Sequence, residues 1–220
     1  MRTHERDGGT SGSPVRAILS DIGGVLVRDQ WKVAAANLTL ESGPSGAELE
    51  QSLRRNAPRL DLGSIGLREF FDRVRTETDC AVPWGRFRRV AIDTSLVSIP
   101  RNFALYRSIR GRGVILTAVT NVGQEIARAL DNKFELSSLF DHMVRSSEVG
   151  VVKPDAKMYK TALRLSGVQA HEALFIDDSP RYVAAAELMR IPSVLIPRPE
   201  WLASRLKPYL PDSVALPRGR

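Results

Sequence analysis

The chain has 220 residues, enough for one substantial core with a small inserted or appended unit, because single domains usually hold ~100–200 residues. Its apolar share of 43% and charged share of 26% are those of an ordinary globular protein, and no apolar run approaches the ~20 residues of a bilayer span, which excludes global disorder and a membrane-spanning helix. The net charge of +7 comes from basic residues spread along the chain, only six of them Lys, so an arginine-rich surface that attracts small anions is expected and no nucleic-acid partner.

Residues 1–14 are polar, lack the apolar centre of a secretory signal, and read as a flexible tail. The single cysteine, Cys80, excludes an internal disulfide and fits a reducing compartment, here the cytoplasm. Val15 to Leu19 forms a short apolar run that stops at Asp21 and Gly23-Gly24, the pattern of a buried strand followed by a tight turn. From Trp31 to about Arg101 the spacing turns helical, in three stretches that start near Val33, Glu48 and Leu67 and are punctuated by Pro44, Pro58, Gly63, Gly66 and Pro83. This predicts a helical insert over residues 28–100, with the core made of residues 15–27 and 101–220.

After Pro100, helices and strands alternate. A helix through Phe103 and Ile109 ends near Gly113, and a strand covers Val114 to Val119. A helix starting at Gly123, a strand around His142-Met143-Val144, a helix from Asp155, and strands at Ala173–Ile176 and Ser193–Ile196 complete the series. Such alternation predicts an α/β protein with a parallel sheet covered by helices on both faces and ligands at the carboxyl ends of its strands.

Four polar sites lie at those ends: Asp21, Thr120-Asn121, Lys153 and Asp177-Asp178. Each alone has an ordinary explanation as a turn, a cap or a solvated charge. Together they supply what phosphoryl transfer needs: an attacking carboxylate, carboxylates for a divalent cation, and a hydroxyl and an ammonium for the phosphate oxygens. Two adjacent carboxylates after a buried strand are costly unless a cation sits there.

The series Asp21-Ile22-Gly23-Gly24-Val25-Leu26, Val119-Thr120-Asn121, Lys153-Pro154-Asp155 and Phe175-Ile176-Asp177-Asp178-Ser179 resembles the four ordered motifs of the haloacid dehalogenase superfamily. The insert is similar to its helical cap of the first type. The resemblance runs from about Val15 to Ile196. It implies a Rossmann-like three-layer core around that parallel sheet, and a phosphatase with Asp21 as nucleophile, Thr120 as phosphate hydrogen-bond donor and Lys153 balancing Asp21 and phosphate. It also implies Mg2+ held by Asp21, the Gly23 carbonyl and Asp178, with Asp177 acting through water, and a phosphate cradle completed by the amides of Ile22 and Asn121. The substrate implied is a small phosphorylated metabolite.

One position departs from the pattern. The second aspartate that most of these phosphatases carry two residues after the nucleophile, as acid and base, is Gly23 here. The same change resembles the sugar-1-phosphate phosphatase branch. Asp29, at the entrance to the insert, is the candidate replacement, with a solvent-facing hinge residue as the plainer alternative. Two other readings follow from Gly23: carbon-centred chemistry, for which Lys32 is the insert's only lysine, and a silent descendant that binds without turnover. Arg190 stands where the family usually ends a helix with glycine, which implies modest strain there. Trp31, Trp84 and the arginines 54, 55, 59, 86, 88 and 89 are candidates for recognising the rest of the substrate.

Overall fold

The apolar run ahead of Asp21 is the central strand of a parallel sheet, β1 (Ala17–Ser20). The computed structural model describes residues 15–214, so the expected tail at 1–14 lies outside the described residues. In chain order there follow helices α1 (Gln30–Ser42), α2 (Gly46–Asp61), α3 (Leu67–Thr78) and α4 (Trp84–Arg89), and then α5 (Pro100–Ile109) and β2 (Ile115–Thr120). Next come α6 (Gln124–Phe134), α7 (Leu136–Leu139), β3 (His142–Arg145), α8 (Ser146–Val149) and α9 (Ala156–Ser166). The chain continues through β4 (Ala173–Asp177), α10 (Pro180–Leu188), β5 (Ser193–Leu195) and α11 (Leu202–Leu206).

The five strands lie in the order β3-β2-β1-β4-β5, and every pairing is parallel. Successive connections run outward from β1 in one direction and then in the other, which leaves a crevice at the carboxyl ends of the central strands. The two-residue period of the strands divides the core. Ile18, Leu116, Ala118, Leu174 and Ile176 face one layer, whereas Ala17, Leu19, Val119 and Phe175 face α9 and α10 through Met158, Tyr159, Ala162, Val183 and Ala186.

The chain leaves the core and re-enters it side by side. Arg28 donates to the Val97 carbonyl at 2.8 Å and Ile99 donates to the Leu26 carbonyl at 2.8 Å. Between these points α1 to α4 build a helical unit closed by Phe70, Phe71 and Phe87, whose burial stabilises it by ~1.5–3 kcal/mol per ring. The α2 helix begins at a capping box, in which Ser45 accepts from Glu48 N and Glu48 accepts from Ser45 N. Among the described residues no helix is long and apolar enough to cross a membrane.

The expected strands are all present, with β1 starting two residues and β2 one residue later than expected. The short helices α7, α8 and α11 and the insert's α4 carry too few turns to give a periodic signal and were not anticipated. Arg190 has φ +61°, the left-handed conformation expected of the residue that ends α10.

Candidate active site

Asp21 follows β1 directly, and its amide donates to the Ile176 carbonyl at 2.8 Å, so the β1–β4 pairing is extended to the residue that bears the carboxylate. That carboxylate is nearly buried. Its Oδ1 accepts from the Ile22 amide at 2.7 Å, and its Oδ2 lies 3.0 Å from the Lys153 Nζ. Lys153 is itself buried and donates to Asp177 Oδ2 at 2.7 Å, so one ammonium joins the ends of β1 and β4.

Asn121 sets the position of Lys153. Its Oδ1 accepts from the Lys153 amide at 2.7 Å, and its Nδ2 donates to the Lys153 carbonyl at 3.3 Å. The same Nδ2 donates to the Tyr182 hydroxyl at 3.3 Å, and the Lys153 ammonium lies 5.0 Å from the centre of the Tyr182 ring. Thr120, the last residue of β2, is buried beside this network, and among the described residues its hydroxyl has no hydrogen-bond partner.

Asp21, Asp177 and Asp178 can each present an oxygen such that all three lie within 4.8 Å of one another. Gly24 makes this approach possible. With φ at +67°, a Cβ there would lie 2.0 Å from Asp178 Oδ2, so only glycine leaves room for that carboxylate. Gly23 differs, because a Cβ there meets nothing within 4 Å.

The charges do not balance: three carboxylates surround one ammonium. Burial, with the Asp21 charge behind it, pushes Asp177 up from its ordinary value although Lys153 opposes the shift. Partial burial and the Asp21 charge push Asp178, the most exposed of the three, up to about 6. Burial alone would lower Lys153, but Asp177 and Asp21 outweigh it and hold the ammonium above its usual range. An excess of negative charge contributes to all three shifts. A hard divalent cation, which takes oxygen ligands, fits this donor set and would relieve the excess.

Above the site lies a cleft of about 480 Å³ lined by Lys153, Asn121 and Tyr182 from the core side and by Trp31, Arg54 and Asp61 from the helical unit. Asp61, the last residue of α2, gave no sequence signal on its own, although continuing the buried face of Leu53, Ala57 and Leu60 brings the next helical position to it. Burial, and then the charge of Asp21, pushes the Asp61 carboxyl up to about 7, against the opposing influence of Lys153 and the Gly123 amide.

The other candidates are distributed as follows. Asp29 caps α1 by accepting from Lys32 N at 3.3 Å and pairs with Arg54, which also pairs with Glu50 at 2.8 Å. Arg55 pairs with Glu77, and Trp84 packs on Phe71 and Phe87. Among the described residues the cleft lining holds no lysine besides Lys153. Gly24, Asp61 and Tyr182 are the residues that sequence reasoning did not single out.

A parallel sheet of this order with a carboxylate, hydroxyl, lysine and paired carboxylates at its strand ends defines a hydrolase of the haloacid dehalogenase type. The family model for haloacid dehalogenase-like hydrolases matches residues 15–189, and the chain belongs to that family. It is 26% identical over 235 residues to mouse (Mus musculus) acyl-CoA dehydrogenase family member 10, covering 96% of this chain and 21% of that protein. With the phosphoglycolate phosphatase of Rhodospirillum rubrum it shares 32% identity over 97 residues, 44% of this chain and 40% of the other. The chain thus spans less than half the length of these curated relatives. A HAD family enzyme of Bacteroides thetaiotaomicron, solved in complex with magnesium and inorganic phosphate, superposes with a TM-score of 0.66 at 19% identity over 82% of this chain and 93% of that one. An L-2-haloacid dehalogenase superposes at 0.68 and 20% identity, over 84% and 87%. At these identities the structural likeness is one of fold.

Proposed function

We propose that the chain is a Mg2+-dependent phosphoric monoester hydrolase that acts on a small phosphorylated metabolite, such as a sugar phosphate, through an aspartyl-phosphate on Asp21. The observation that carries this reading is the Asp21 carboxylate, nearly buried and 3.0 Å from Lys153, with Asp177 and Asp178 beside it and the unpartnered Thr120 hydroxyl at the next strand end. Asp21 is the nucleophile. Thr120 and Lys153 hold phosphate oxygens, and the Ile22 amide, now turned onto Asp21 Oδ1, and the Asn121 amide complete the cradle.

Mg2+ would be held by Asp21, Asp178 and the Gly23 carbonyl, with Asp177 acting through water; when bound it supplies the positive charge that lets a phosphate dianion approach these carboxylates. Residues 28–100 form the cap that selects the leaving group. Support also comes from the relatives: one is a phosphoglycolate phosphatase, and one similar fold was solved with magnesium and inorganic phosphate. A dehalogenase-type displacement is the second reading, favoured by the dehalogenase neighbour. Three carboxylates around one ammonium speak against it, because displacing a halide needs no cation. The proposed setting is the reducing cytoplasm, in keeping with the lone, buried Cys80.

A panel of sugar phosphates, nucleotides, acyl phosphates and phosphonates, with and without Mg2+, tests the reading. Turnover that needs Mg2+ and is abolished in Asp21→Asn is the expected result. Ligand binding without turnover of any phosphoester would select the silent descendant instead.

A further inference from the structure

Gly23 leaves the reaction without the usual proton donor, and hydrolysis of an alkyl phosphate needs one, because an alkoxide is a poor leaving group and general acid–base help is worth ~10²–10⁴ in rate. The donor must reach the cleft, carry a proton near neutral pH and be free of a cation that would hold it ionised.

Asp177 is bonded to Lys153, and Asp178 belongs to the carboxylate cluster. Asp29 caps α1, and its carboxylate is engaged by the Arg54 guanidinium rather than turned to the cleft lining. The Tyr182 hydroxyl is raised from its ordinary value by burial, the wrong direction for giving up a proton. Asp61 is left. It lines the cleft together with Lys153 and Asn121, and among the described residues it forms no salt bridge.

The position of Asp61 is built in. The Asp61 carbonyl accepts from Ser146 Oγ at 2.6 Å, and the same hydroxyl accepts from the Val122 amide at 2.9 Å, so the end of α2 is tied to the loop that follows β2. At the start of α3, the Leu67 amide donates to Glu125 Oε2 on α6 at 2.9 Å. Leu60 presses against Gly123 so closely that a Cβ there would lie 2.8 Å from the Leu60 carbonyl oxygen. A glycine at the start of α6 therefore admits the end of α2, and with it Asp61, to the edge of the site.

We infer that the Asp61 carboxyl, delivered to the cleft by the end of α2, is the group that protonates the departing oxygen and later takes a proton from the attacking water. This inference rests on the reading of Asp21 as the nucleophile of a phosphoester hydrolase. In the first step an Asp21 oxygen bonds to phosphorus, the bond from phosphorus to the leaving oxygen breaks, and that oxygen takes the Asp61 proton. In the second, water gives a proton to the Asp61 carboxylate as its oxygen bonds to phosphorus, and the bond to Asp21 breaks. Inorganic phosphate leaves, and both side chains are returned to their starting states.

The environment agrees with the geometry. Burial is the largest influence on Asp61 and, with the Asp21 charge, lifts it to about 7, where a carboxyl can both give and take a proton. The charged and titratable groups around it are Asp21 after β1, Lys153 before α9, Arg54 on α2, and Arg181 and Tyr182 on α10. Glu125 on α6 is engaged by the Leu67 amide, and Glu148 on α8 by Arg145 at 2.9 Å.

The test is a series of substituted phenyl phosphates, from nitro- to methoxy-substituted, hydrolysed by the Mg2+-loaded wild-type enzyme and by Asp61→Asn. The wild type should depend only weakly on the leaving group. Asp61→Asn should lose ~10²-fold or more on the methoxy compound and far less on the nitro compound, whose phenolate departs without a proton. Placing Gly23→Asp in the Asp61→Asn background should restore the shallow dependence, since a side chain at Gly23 meets open space. In the wild type alone, kcat/KM for the methoxy compound should fall as pH rises through neutrality while that for the nitro compound does not. An equal loss across the series, or the same pH profile for both compounds, would overturn the assignment of Asp61. Failure of the wild type itself to hydrolyse any member of the series would instead overturn the phosphatase reading, and the inference with it.

Discussion

Replacing Gly24 by alanine perturbs the carboxylate cluster without replacing a charged residue. The backbone there has φ +67°, and the new Cβ would lie 2.0 Å from Asp178 Oδ2, 2.3 Å from its Cγ and 2.9 Å from its Cβ. Even a tight contact needs about 3.0 Å, so the carboxylate has to retreat by roughly 1 Å or the turn has to open. Mg2+ demands oxygen at ~2.0–2.1 Å in near-ideal octahedral geometry, and a carboxylate displaced by that much stops being a ligand. The expected loss of Mg2+ affinity is about 10–100-fold, the size seen when the shell that orients a ligand is removed. The left-handed backbone adds a destabilisation of roughly 1–2 kcal/mol, readable in a denaturant titration of the metal-free protein. Isothermal titration calorimetry of Mg2+ into wild type and Gly24→Ala measures the first quantity. Equal affinities would refute the account of Gly24 as the residue that makes room for Asp178.

Further outcomes are expected. Lys153→Met should abolish phosphoester turnover and, by leaving Asp21 and Asp177 without their shared ammonium, destabilise the metal-free fold by about 3–5 kcal/mol at neutral pH, as urea unfolding would measure. Stability should also respond to pH. Asp61 and Asp178 have folded-state values of about 7 and about 6, raised from an ordinary 3.8, so the folded state binds more protons than the unfolded one between those values. Their contribution is therefore fully favourable below about pH 4 and is lost as pH rises toward 7. Metal-free protein should melt at a higher temperature at pH 5.5 than at pH 7.5, and Asp61→Asn should shrink the difference; an unchanged difference would contradict the burial of Asp61. Gly123→Ala should push Leu60 and Asp61 out of place and lower turnover of alkyl phosphates with little change in Mg2+ binding, a pattern that steady-state kinetics and calorimetry separate.

The sheet and the strand-end residues were legible because β1, β2 and β4 are largely apolar runs buried on both faces, each ending at or just before a polar residue. Thr120 and Asp177 end β2 and β4, Asp21 follows β1, and parallel pairing brings these ends to one edge. Arg190 was legible for a different reason, because the family resemblance puts a helix-ending glycine, with its left-handed backbone, at that position. Asp61 was not. Its role depends on how α2 docks against Gly123 and Ser146, contacts that join residues over 60 positions apart and leave no periodic or motif signal. Gly24 likewise read as half of a turn, and only the position of Asp178 shows why it cannot carry a side chain.

Trapping the covalent intermediate tests the central claim most directly. The Mg2+-loaded protein is mixed with an aryl phosphate, quenched in acid within the first turnover and mapped by peptide mass spectrometry. The account predicts one added phosphoryl group on the peptide containing Asp21 and none in Asp21→Asn. Turnover with no phosphorylated peptide, or with the phosphoryl group on another residue, would contradict it.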